Sequence, residues 1–430
     1  MQPFKKGPDY IDPLWLARAA GRPCYNLDFF TMSDAEIYST FSSKSGAADI
    51  SLIEGNKGLF DGLYVEGTDS NAALAKMLSA PVLIVIDTTG MTRGIAALIS
   101  GYLGFDPDVD ICGVILNKVG GARHEGKLRA ALERYTDAEV LGAIGRDHAL
   151  EIPERHIGLV PANEAEGVDA TITLLADAIS AGTNIDRLIE IANTAKPART
   201  ETQISAASAR PKPAVRIAVA RDAAFGFYYP DDLEAFANAG AELLFFDALS
   251  DSRLPDADGL FIGGGFPEMH LPALTVNQTL RTDIRRKLAA GMPAYAECGG
   301  LMYLAQNIQW RDERYDMVGV IPGDIVVDDR PQGRGYVIVE ETGEGLWSPA
   351  PAGSPQSDAT IPAHEFHYAR LENMSGDPKY TFRVIRGHGI DGRRDGLIVG
   401  NLLAGFAHHR NTEKNPWVRR FVEFVRSKSA

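Results

Sequence analysis

The chain has 430 residues, 45% of them apolar and 23% charged, which is enough to build full cores and excludes a disordered or fibrous protein. Its length predicts two domains of about 200 residues each. A net charge of −14 without a Lys- or Arg-rich run argues against nucleic-acid binding. The longest apolar stretch, 80–86, is too short for a membrane span, and the N-terminus lacks the apolar core of a secretory signal. Three cysteines without metal-like spacing indicate a reducing cytoplasm.

The segment 194–213 differs from the rest of the chain in composition. It is rich in Ala, Ser, Thr and Pro and contains almost no large apolar residue. This composition is typical of a linker. We therefore expect one domain over residues 1–193 and a second over residues 214–430, most simply the two parts of an enzyme.

In the first domain, short apolar runs alternate with helical patterns, as in a parallel, doubly wound α/β sheet. A helix over 70–79 is predicted to begin with an Asp69 or Ser70 cap. The predicted strands are 49–53, 81–86, 111–116, 140–144 and 157–160. Glu54 and Asn117 follow two of these strands directly, and ligands of such sheets bind beyond the carboxyl ends of strands.

The second domain begins with the same alternation and then changes to a more antiparallel pattern. Its predicted strands are 215–220, 242–246, 259–262, 293–296, 336–339, 383–384 and 396–400. The Pro- and Gly-rich run 347–362 predicts a surface loop, and 416–425 predicts a final helix.

A cysteine separates an apolar strand from a helix in AYAECGGL, residues 294–301. This pattern predicts a nucleophile elbow, in which the helix N-terminus lowers the pKa of the Cys298 thiol. Gly299 leaves room for a substrate and offers its N–H to an oxyanion. The stretch FIGGGFPE, with Gly264 and Gly265, predicts an anion-binding nest of backbone N–H groups. The alternatives are a buried structural cysteine and a tight turn.

A thiol nucleophile of this kind needs a general base. The candidate bases are His364, His367, His388, His408 and His409. Spacing does not choose among them, because the partners of such a site are adjacent in space and not in sequence.

Acidic residues in the first domain suggest a second site. GPDYID contains Asp9 and Asp12, and EGNKGLFDG places Glu54 at a strand end and Asp61 in a Gly-rich loop. Carboxylates in such positions suit Mg²⁺, which prefers hard oxygen ligands and the company of phosphates. The alternative is that these residues are ordinary caps and turns.

FIGGGFPE, AYAECGGLMYL and a late His resemble a class I glutamine amidotransferase domain, and more narrowly the cobyrinic acid a,c-diamide synthase family. The resemblance implies that Cys298 is the nucleophile and that His408, in Phe406-Ala407-His408, is the base. It further implies oxyanion and glutamine binding at Gly264, Gly265 and Gly299.

Two further features of the second domain bear on this resemblance. Many glutaminase domains have a Glu two residues after the catalytic His, where this chain has Arg410, although the corrinoid branch also commonly lacks that Glu. HEFHY, residues 364–368, resembles another family signature and is either substrate-contacting or a structural strand.

The first domain resembles the same family in four stretches: QPFKKGPDYIDPLWLARAAGRPCYNLD, EGNKGLFDG, GVILNKV and IPERHIGLVP. The N-terminal domain of that family is similar to dethiobiotin synthetase. The resemblance covers almost the whole chain. It implies ATP-dependent activation of the a and c acetates of a tetrapyrrole through an acyl phosphate, with Mg²⁺, and amidation by glutamine-derived ammonia. The residues that the resemblance implies near ATP, the metal and the intermediate are Lys5, Asp9, Glu54, Asp61 and Asn117. Of these, Glu54 and Asp61 would bind the metal. Tyr10 and Asp12 would contact the tetrapyrrole. A homodimer is left open.

Two departures from the family pattern leave alternatives open. Asn56-Lys57 together with GRPCYNLDFFTM resembles the sulfite-reductase-associated subgroup, which amidates sirohaem. The chain also has no P-loop of the form GxxxxGK[ST], so a non-catalytic tetrapyrrole-binding protein is the rival hypothesis, and a partition-type ATPase fused to a hydrolase is disfavoured.

The missing P-loop gives three expectations. We expect the chain as printed to bind ATP weakly and to show no amidation, because no row of P-loop N–H groups meets the phosphates. We expect the upstream DNA to encode a strand, a phosphate loop and a helix, about 30 to 40 residues in all. We also expect a sheet that is one strand short, with apolar surface exposed on Ile53 and 82–86.

Overall fold

The computed structural model describes residues 1–155, 158–195, 213–347 and 360–429. The chain divides into two compact units, Met1–Phe29 with Asp34–Ile204 and Phe30–Ser33 with Ser205–Ala430. The predicted linker at 194–213 lies almost entirely outside the described residues, as does most of the predicted loop at 347–362.

The first unit alternates strands with helices. Its strands are β1 (Gln2–Lys6), β2 (Tyr25–Leu27), β3 (Ser51–Glu54), β4 (Val82–Asp87), β5 (Ile111–Val119), β6 (Val140–Gly145), β7 (Glu154–Arg155) and β8 (Gly158–Leu159). Its helices are α1 (Ile11–Ala20), α2 (Asp34–Ser45), α3 (Asn71–Leu78), α4 (Gly94–Phe105), α5 (Ala122–Tyr135), α6 (Val168–Gly182) and α7 (Ile185–Ala192).

The parallel strands of this unit form two sheets, in the orders β2-β1-β3 and β4-β5-β6, where the sequence predicted one. The sheets are separate because no described strand hydrogen-bonds to both β3 and β4. Val85 is 58% exposed, as expected for part of 82–86, whereas Ile53 is half-buried and the exposed apolar residue of its strand is Leu52, at 48%. Ile84 and Ile86, by contrast, are only 8% exposed, because they belong to the core that these strands share with α4 and α5.

Two local predictions in the first unit had different outcomes. The helix cap is Ser70, whose Oγ accepts the Ala73 N–H at 3.1 Å, while Asp69 accepts the backbone N–H of Leu63. The predicted parallel strand at 157–160 is wrong. Only the two-residue strand β8 forms there, and it pairs antiparallel with β7 instead of joining a parallel sheet.

The second unit contains the remaining elements. Its strands are β9 (Val215–Ala220), β10 (Ala241–Phe246), β11 (Gly259–Ile262), β12 (Ala294–Glu297), β13 (Asn307–Trp310), β14 (Glu313–Asp316), β15 (Asp324–Val327), β16 (Gly333–Glu341), β17 (Thr360–His367), β18 (Ala369–Glu372), β19 (Lys379–Arg386), β20 (Arg394–Val399) and β21 (Leu402–Gly405). Its helices are α8 (Pro230–Asn238), α9 (Leu271–Val276), α10 (Gln278–Ala289), α11 (Gly299–Leu304) and α12 (Trp417–Lys428).

In the described part of this unit, nine strands form one sheet in the order β10-β9-β11-β12-β21-β20-β19-β16-β17. The strands from β10 to β21 are parallel, and those from β21 to β17 are antiparallel, which confirms the predicted change of pattern. A core that includes α12 residues and Phe261 covers one face, and a larger core that includes residues of α9, α10 and α11 covers the other. The carboxyl ends of β11, β12 and β21 therefore lie side by side.

Candidate active site

Cys298 occupies a sharp turn between β12 and α11. Its backbone has φ 48° and ψ −106°, a conformation that L-residues rarely adopt, and its N–H donates to the Gly405 carbonyl at 2.7 Å. The structure thus has the strand-to-helix turn that the sequence predicted. Such a turn holds the nucleophile side chain at the end of the sheet.

The expected depression of the Cys298 pKa is wrong. Burial raises the pKa of this thiol, and the neighbouring carboxylates Glu268 and Glu297 raise it further, while the Gly299 N–H lowers it too little to compensate. The side chain is only 5% exposed, so water does not stabilise a thiolate there. Cys298 is therefore a thiol at neutral pH, and its use as a nucleophile requires a base.

The glycine loop after β11 packs against His408 and against Gly299, the residue that follows Cys298. A Cβ on Gly264 would lie 2.5 Å from Cε1 of His408, and a Cβ on Gly299 would lie 2.9 Å from the Gly265 carbonyl. A glycine is required at position 264 because any side chain would displace the imidazole. The predicted nest is smaller than three N–H groups, however, because the Gly263 N–H already donates to the Tyr228 hydroxyl at 3.0 Å.

His408 reaches this loop from the neighbouring strand. In the parallel pair of β12 and β21, Gly405 lies opposite Glu297, so the residues that follow both strands emerge at the same edge. His408 lies three residues beyond Gly405 and is buried at 3% exposure. The structure therefore places Cys298, His408 and Gly264 at one point of the sheet edge.

His364 packs against the His408 ring, whereas His408 is the histidine that contacts the glycine loop. The two imidazoles are stacked with ring centroids 4.9 Å apart, and their backbones form a short antiparallel bridge. The Tyr229 hydroxyl lies 3.3 Å from Nδ1 of His364, and burial lowers the pKa of His364 well below its usual value. His364 therefore supports the position of the His408 ring.

The other candidate histidines have structural surroundings. His367 is stacked on Phe406 with ring centroids 4.0 Å apart, and burial lowers the pKa of His409 to about 4. Glu365 accepts the backbone N–H groups of His388 and Gly389 at 2.6 and 2.7 Å. His364, Glu365 and His367 of the HEFHY stretch are buried in strand β17, and the substrate-contacting alternative for this stretch stays a hypothesis.

The sequence analysis assigned no role to Glu297, the residue just before the nucleophile. Its side chain is 3% exposed, and its Oε1 accepts the Tyr295 hydroxyl at 2.6 Å and the His409 N–H at 3.0 Å. Its Oε2 lies 3.4 Å from Nδ1 of His408. The available signal was a carboxylate at the end of an otherwise apolar strand, because a buried charge requires partners.

The first unit brings four of the predicted residues together. Nζ of Lys5 lies 2.5 Å from Asp12, 3.4 Å from Glu54 and 3.9 Å from Asp9. The parallel pairing of β1 with β3 sets Lys5 opposite Glu54, and the turn into α1 brings in both aspartates. Lys5 thus lies among three carboxylates at the ends of two neighbouring strands.

The protonation of this cluster is set by burial and charge together. Burial lowers the pKa of Lys5, but Glu54, Asp12 and Asp9 outweigh it and leave the pKa above its usual value. Burial and the neighbouring Asp12 raise the pKa of Asp9 to about 7. At neutral pH the cluster therefore holds a charged lysine, and Asp9 is near its point of titration.

The remaining predicted residues of the first unit make other contacts. Asp61 accepts the Gly58 N–H at 3.2 Å in an exposed loop, and Tyr10 is a buried residue at the start of α1. Asn117 pairs with Asp87 inside the longer strand β5, and its Oδ1 accepts the Lys118 N–H at 2.9 Å. Among the described residues, the hydrogen bonds of Asp61 and Asn117 do not reach the Lys5 cluster, whereas Tyr10 directly follows Asp9 in sequence.

Two statements about metal ions and membranes hold for the described part of the chain. No group of three His, Cys, Asp or Glu side chains there is arranged to hold a metal ion alone. None of the helices described is both long and apolar enough to cross a membrane.

The arrangement around Cys298 can be compared with known proteins. Residues 216–416 match the CobB/CobQ-like glutamine amidotransferase domain, and residues 26–154 match an AAA domain. A relative from Magnetococcus marinus, named cobyrinate a,c-diamide synthase, is 42% identical over 100% of this chain and 91% of its own length. The chain belongs to the cobyrinate a,c-diamide synthase family.

Two archaeal relatives with the same name support the assignment. The protein from Archaeoglobus fulgidus is 40% identical over 98% of this chain and 90% of its own length. That from Methanosarcina acetivorans is 39% identical over 95% of this chain and 86% of its own length. The chain is thus an ATP-dependent ligase that takes nitrogen from glutamine, as its two matched domains indicate.

Proposed function

We propose that this enzyme converts the a and c acetate carboxylates of cobyrinate or hydrogenobyrinate into amides. The observation that carries the proposal is the near-complete match to relatives with that name, joined to a buried Cys-His site in the second unit. The proposed reactions are glutamine hydrolysis in the second unit and carboxylate activation by ATP in the first.

In the second unit, Cys298 and His408 would act as nucleophile and base. The thiol proton passes to His408 as sulfur attacks the carboxamide carbon of glutamine, and His408 returns the proton to the departing nitrogen. Backbone N–H groups near Gly265 and Gly299 would stabilise the oxyanion. Water then hydrolyses the thioester to glutamate. The raised pKa of Cys298 supports this assignment, because a buried thiol gains most from an adjacent base.

In the first unit, the tetrapyrrole carboxylate would attack the γ-phosphorus of ATP, forming an acyl phosphate and releasing ADP. Ammonia would then attack the acyl carbon, and inorganic phosphate would leave as the amide forms. Phosphorylation supplies the leaving group that a carboxylate lacks. Lys5 would hold phosphate oxygens, Asp9 would contact the activated carboxylate, and Tyr10 and Asp12 would contact the macrocycle. Asn117 would contact the adenine.

Magnesium fits this proposal as a companion of the nucleotide. Glu54 is half-exposed and Asp61 lies in an exposed loop, and Mg²⁺ in nucleotide sites needs only one or two carboxylates beside the phosphates. Glu54 and Asp61 would hold the ion, which when bound neutralises the charge that builds up on the phosphates. We also place the enzyme in the cytoplasm, without a nucleic-acid or membrane partner, and leave open a homodimer.

The test incubates the protein, preceded by the upstream strand, phosphate loop and helix expected above, with ATP, with cobyrinate, hydrogenobyrinate or sirohaem, and with either glutamine or ammonium. Each amidation replaces OH by NH₂, which mass spectrometry resolves. We expect the diamide of a corrinoid from both nitrogen sources. Cys298→Ala is expected to abolish glutamine-dependent synthesis and to retain ammonium-dependent synthesis, because its thiol acts only on glutamine.

Three outcomes would contradict parts of this proposal. If only sirohaem is amidated, the proposed corrinoid substrate is wrong and sirohaem is the substrate. Binding of a tetrapyrrole without turnover from either nitrogen source would favour a non-catalytic protein. Loss of both activities in a folded Cys298→Ala variant would place Cys298 in the synthetase chemistry or in the core.

A further inference from the structure

We propose that Glu297 positions and charges His408 for glutamine hydrolysis, so that the carboxylate partner of the base lies on the nucleophile's own strand. This inference rests on the glutaminase reaction proposed above. Oε2 of Glu297 lies 3.4 Å from Nδ1 of His408, and both side chains are about 3% exposed. This distance is longer than that of a usual N–H···O hydrogen bond, and catalytic hydrogen bonds often tighten only when substrate binds.

The Glu297 carboxylate is held in a fixed direction. Its other oxygen accepts the Tyr295 hydroxyl at 2.6 Å and the His409 N–H at 3.0 Å. These two donors come from its own strand and from the residue after His408. Because hydrogen bonds fix one carboxylate oxygen, the side chain does not rotate, and the second oxygen stays directed at the imidazole. A positioning residue needs this rigidity.

The other charged and titratable groups around His408 do not offer this partner. His364 stacks on its ring, and Cys298 follows Glu297 directly. Arg410, two residues further along, is a buried cation that pairs with Asp231 at 2.7 Å and lies over the Tyr229 ring. A carboxylate facing Nδ1 is therefore supplied by β12.

This arrangement assigns the two nitrogens of His408. With its proton on Nδ1, directed at Glu297, the ring leaves Nε2 able to accept the Cys298 proton. The ring becomes an imidazolium while the C–S bond to the glutamine carboxamide carbon forms. The same Nε2–H is then donated to the departing nitrogen, the C–N bond breaks, and ammonia leaves. Glu297 keeps its charge throughout and stabilises the transient cation.

The test compares wild type with Glu297→Gln. A glutamine keeps the shape and one carbonyl oxygen for Tyr295 and His409, but its NH₂ donates to Nδ1 and favours the wrong tautomer. We expect kcat for glutamine hydrolysis to fall about 100-fold or more with little change in KM. We also expect the acidic limb of kcat/KM to move to lower pH, because the imidazolium loses its counter-charge.

Glu365→Gln is the matched control, since Glu365 is a second buried carboxylate that accepts the N–H groups of His388 and Gly389 and not the His408 imidazole. Its acidic limb should stay in place. Glu297→Asp keeps the negative charge but shortens the side chain, which moves the carboxylate away from His408. We therefore expect a rate between those of wild type and Glu297→Gln, at least about tenfold below wild type. Ammonium-dependent synthesis reports the fold of each variant.

The outcomes separate this inference from the proposed function. If wild type hydrolyses no glutamine, or Cys298→Ala hydrolyses it normally, the proposed function fails. If wild type is active, Cys298→Ala is inactive and Glu297→Gln keeps the wild-type rate and acidic limb, the inference about Glu297 alone is wrong. Should Glu297→Gln fail to fold, a Glu297→Asp variant with wild-type kcat would overturn it.

Discussion

At the scale of single residues, Asp395 holds the backbone that leads to His408. Its carboxylate accepts the N–H groups of Phe406 and Ala407, both at 3.0 Å, and is fully buried. Burial raises its pKa from 3.8 to about 6. The folded chain therefore binds this proton more tightly than the unfolded chain, and the contribution of Asp395 to the unfolding free energy falls as pH rises from about 4 to 6.

Asp395→Asn removes this titration. We expect the unfolding free energy of wild type, relative to the variant, to fall by up to about 3 kcal/mol between pH 4 and 7. Urea unfolding followed by tryptophan fluorescence measures the difference, since three of the four tryptophans (Trp310, Trp347 and Trp417) lie in the second unit. A difference that grows with pH would contradict the assignment.

The sequence supported some residue roles and missed others for a physical reason. Cys298 was recognised because its neighbours in sequence, an apolar strand and two glycines, create the turn. The proximity of Glu297 to His408 could not be predicted, because it depends on strand register, which sets Glu297 opposite Gly405 and so beside the segment of His408. The pKa of Cys298 was misjudged because burial outweighs the nearby helix N-terminus.

At the scale of elements, the loop between β11 and α9 limits the space around His408. We expect Gly264→Ala to lower kcat for glutamine hydrolysis about 100-fold, because its Cβ would lie 2.5 Å from Cε1 of His408 and the ring must shift. Ammonium-dependent synthesis should persist. Steady-state glutaminase assays measure the change.

Gly126→Ala is the control for this substitution, because it lies within α5 with no heavy atom within 4 Å of the added Cβ. It should leave both activities unchanged. Wild-type glutamine hydrolysis by Gly264→Ala would show that the His408 ring has room to move without loss.

Element positions were largely predictable where hydrophobic patterning is strong. Strand β9 matches its predicted bounds, and α12 differs by one residue at its start and three at its end. The failure at 157–160 arose because a short apolar run reads alike in a parallel strand and a hairpin. The separation of β3 from β4 was not visible either, since pairing between strands is a non-local property.

At the scale of the whole molecule, two reactions assigned to two units should be separable by substitution. We expect Asp9→Ala or Glu54→Ala to reduce synthesis from either nitrogen source about a hundredfold or more, while glutamine hydrolysis persists. Both carboxylates belong to the Lys5 cluster of the first unit. Near-normal synthesis in both variants would show that Asp9 and Glu54 only form structural ion pairs with Lys5.

Mixing the variants tests how ammonia is used. In a mixture of the Asp9→Ala protein and the Cys298→Ala protein, the first supplies a working second unit and the other a working first unit. The two working units lie on different chains, so only ammonia released to solvent connects them. We expect the initial rate of glutamine-dependent synthesis in the mixture to lie well below wild type and to rise as ammonia accumulates. A wild-type rate from the start would exclude preferential transfer within one chain.

The backbone of Cys298 has a consequence for evolution as well as for chemistry. A side chain at φ 48° and ψ −106° costs on the order of 1 to 3 kcal/mol, which only glycine avoids. At most buried sites Ala is more stable than Gly, but here we expect Cys298→Gly to unfold at higher urea concentration than Cys298→Ala. Stability alone would therefore favour glycine at this position, and a cysteine held there against that preference fits its proposed role as the nucleophile.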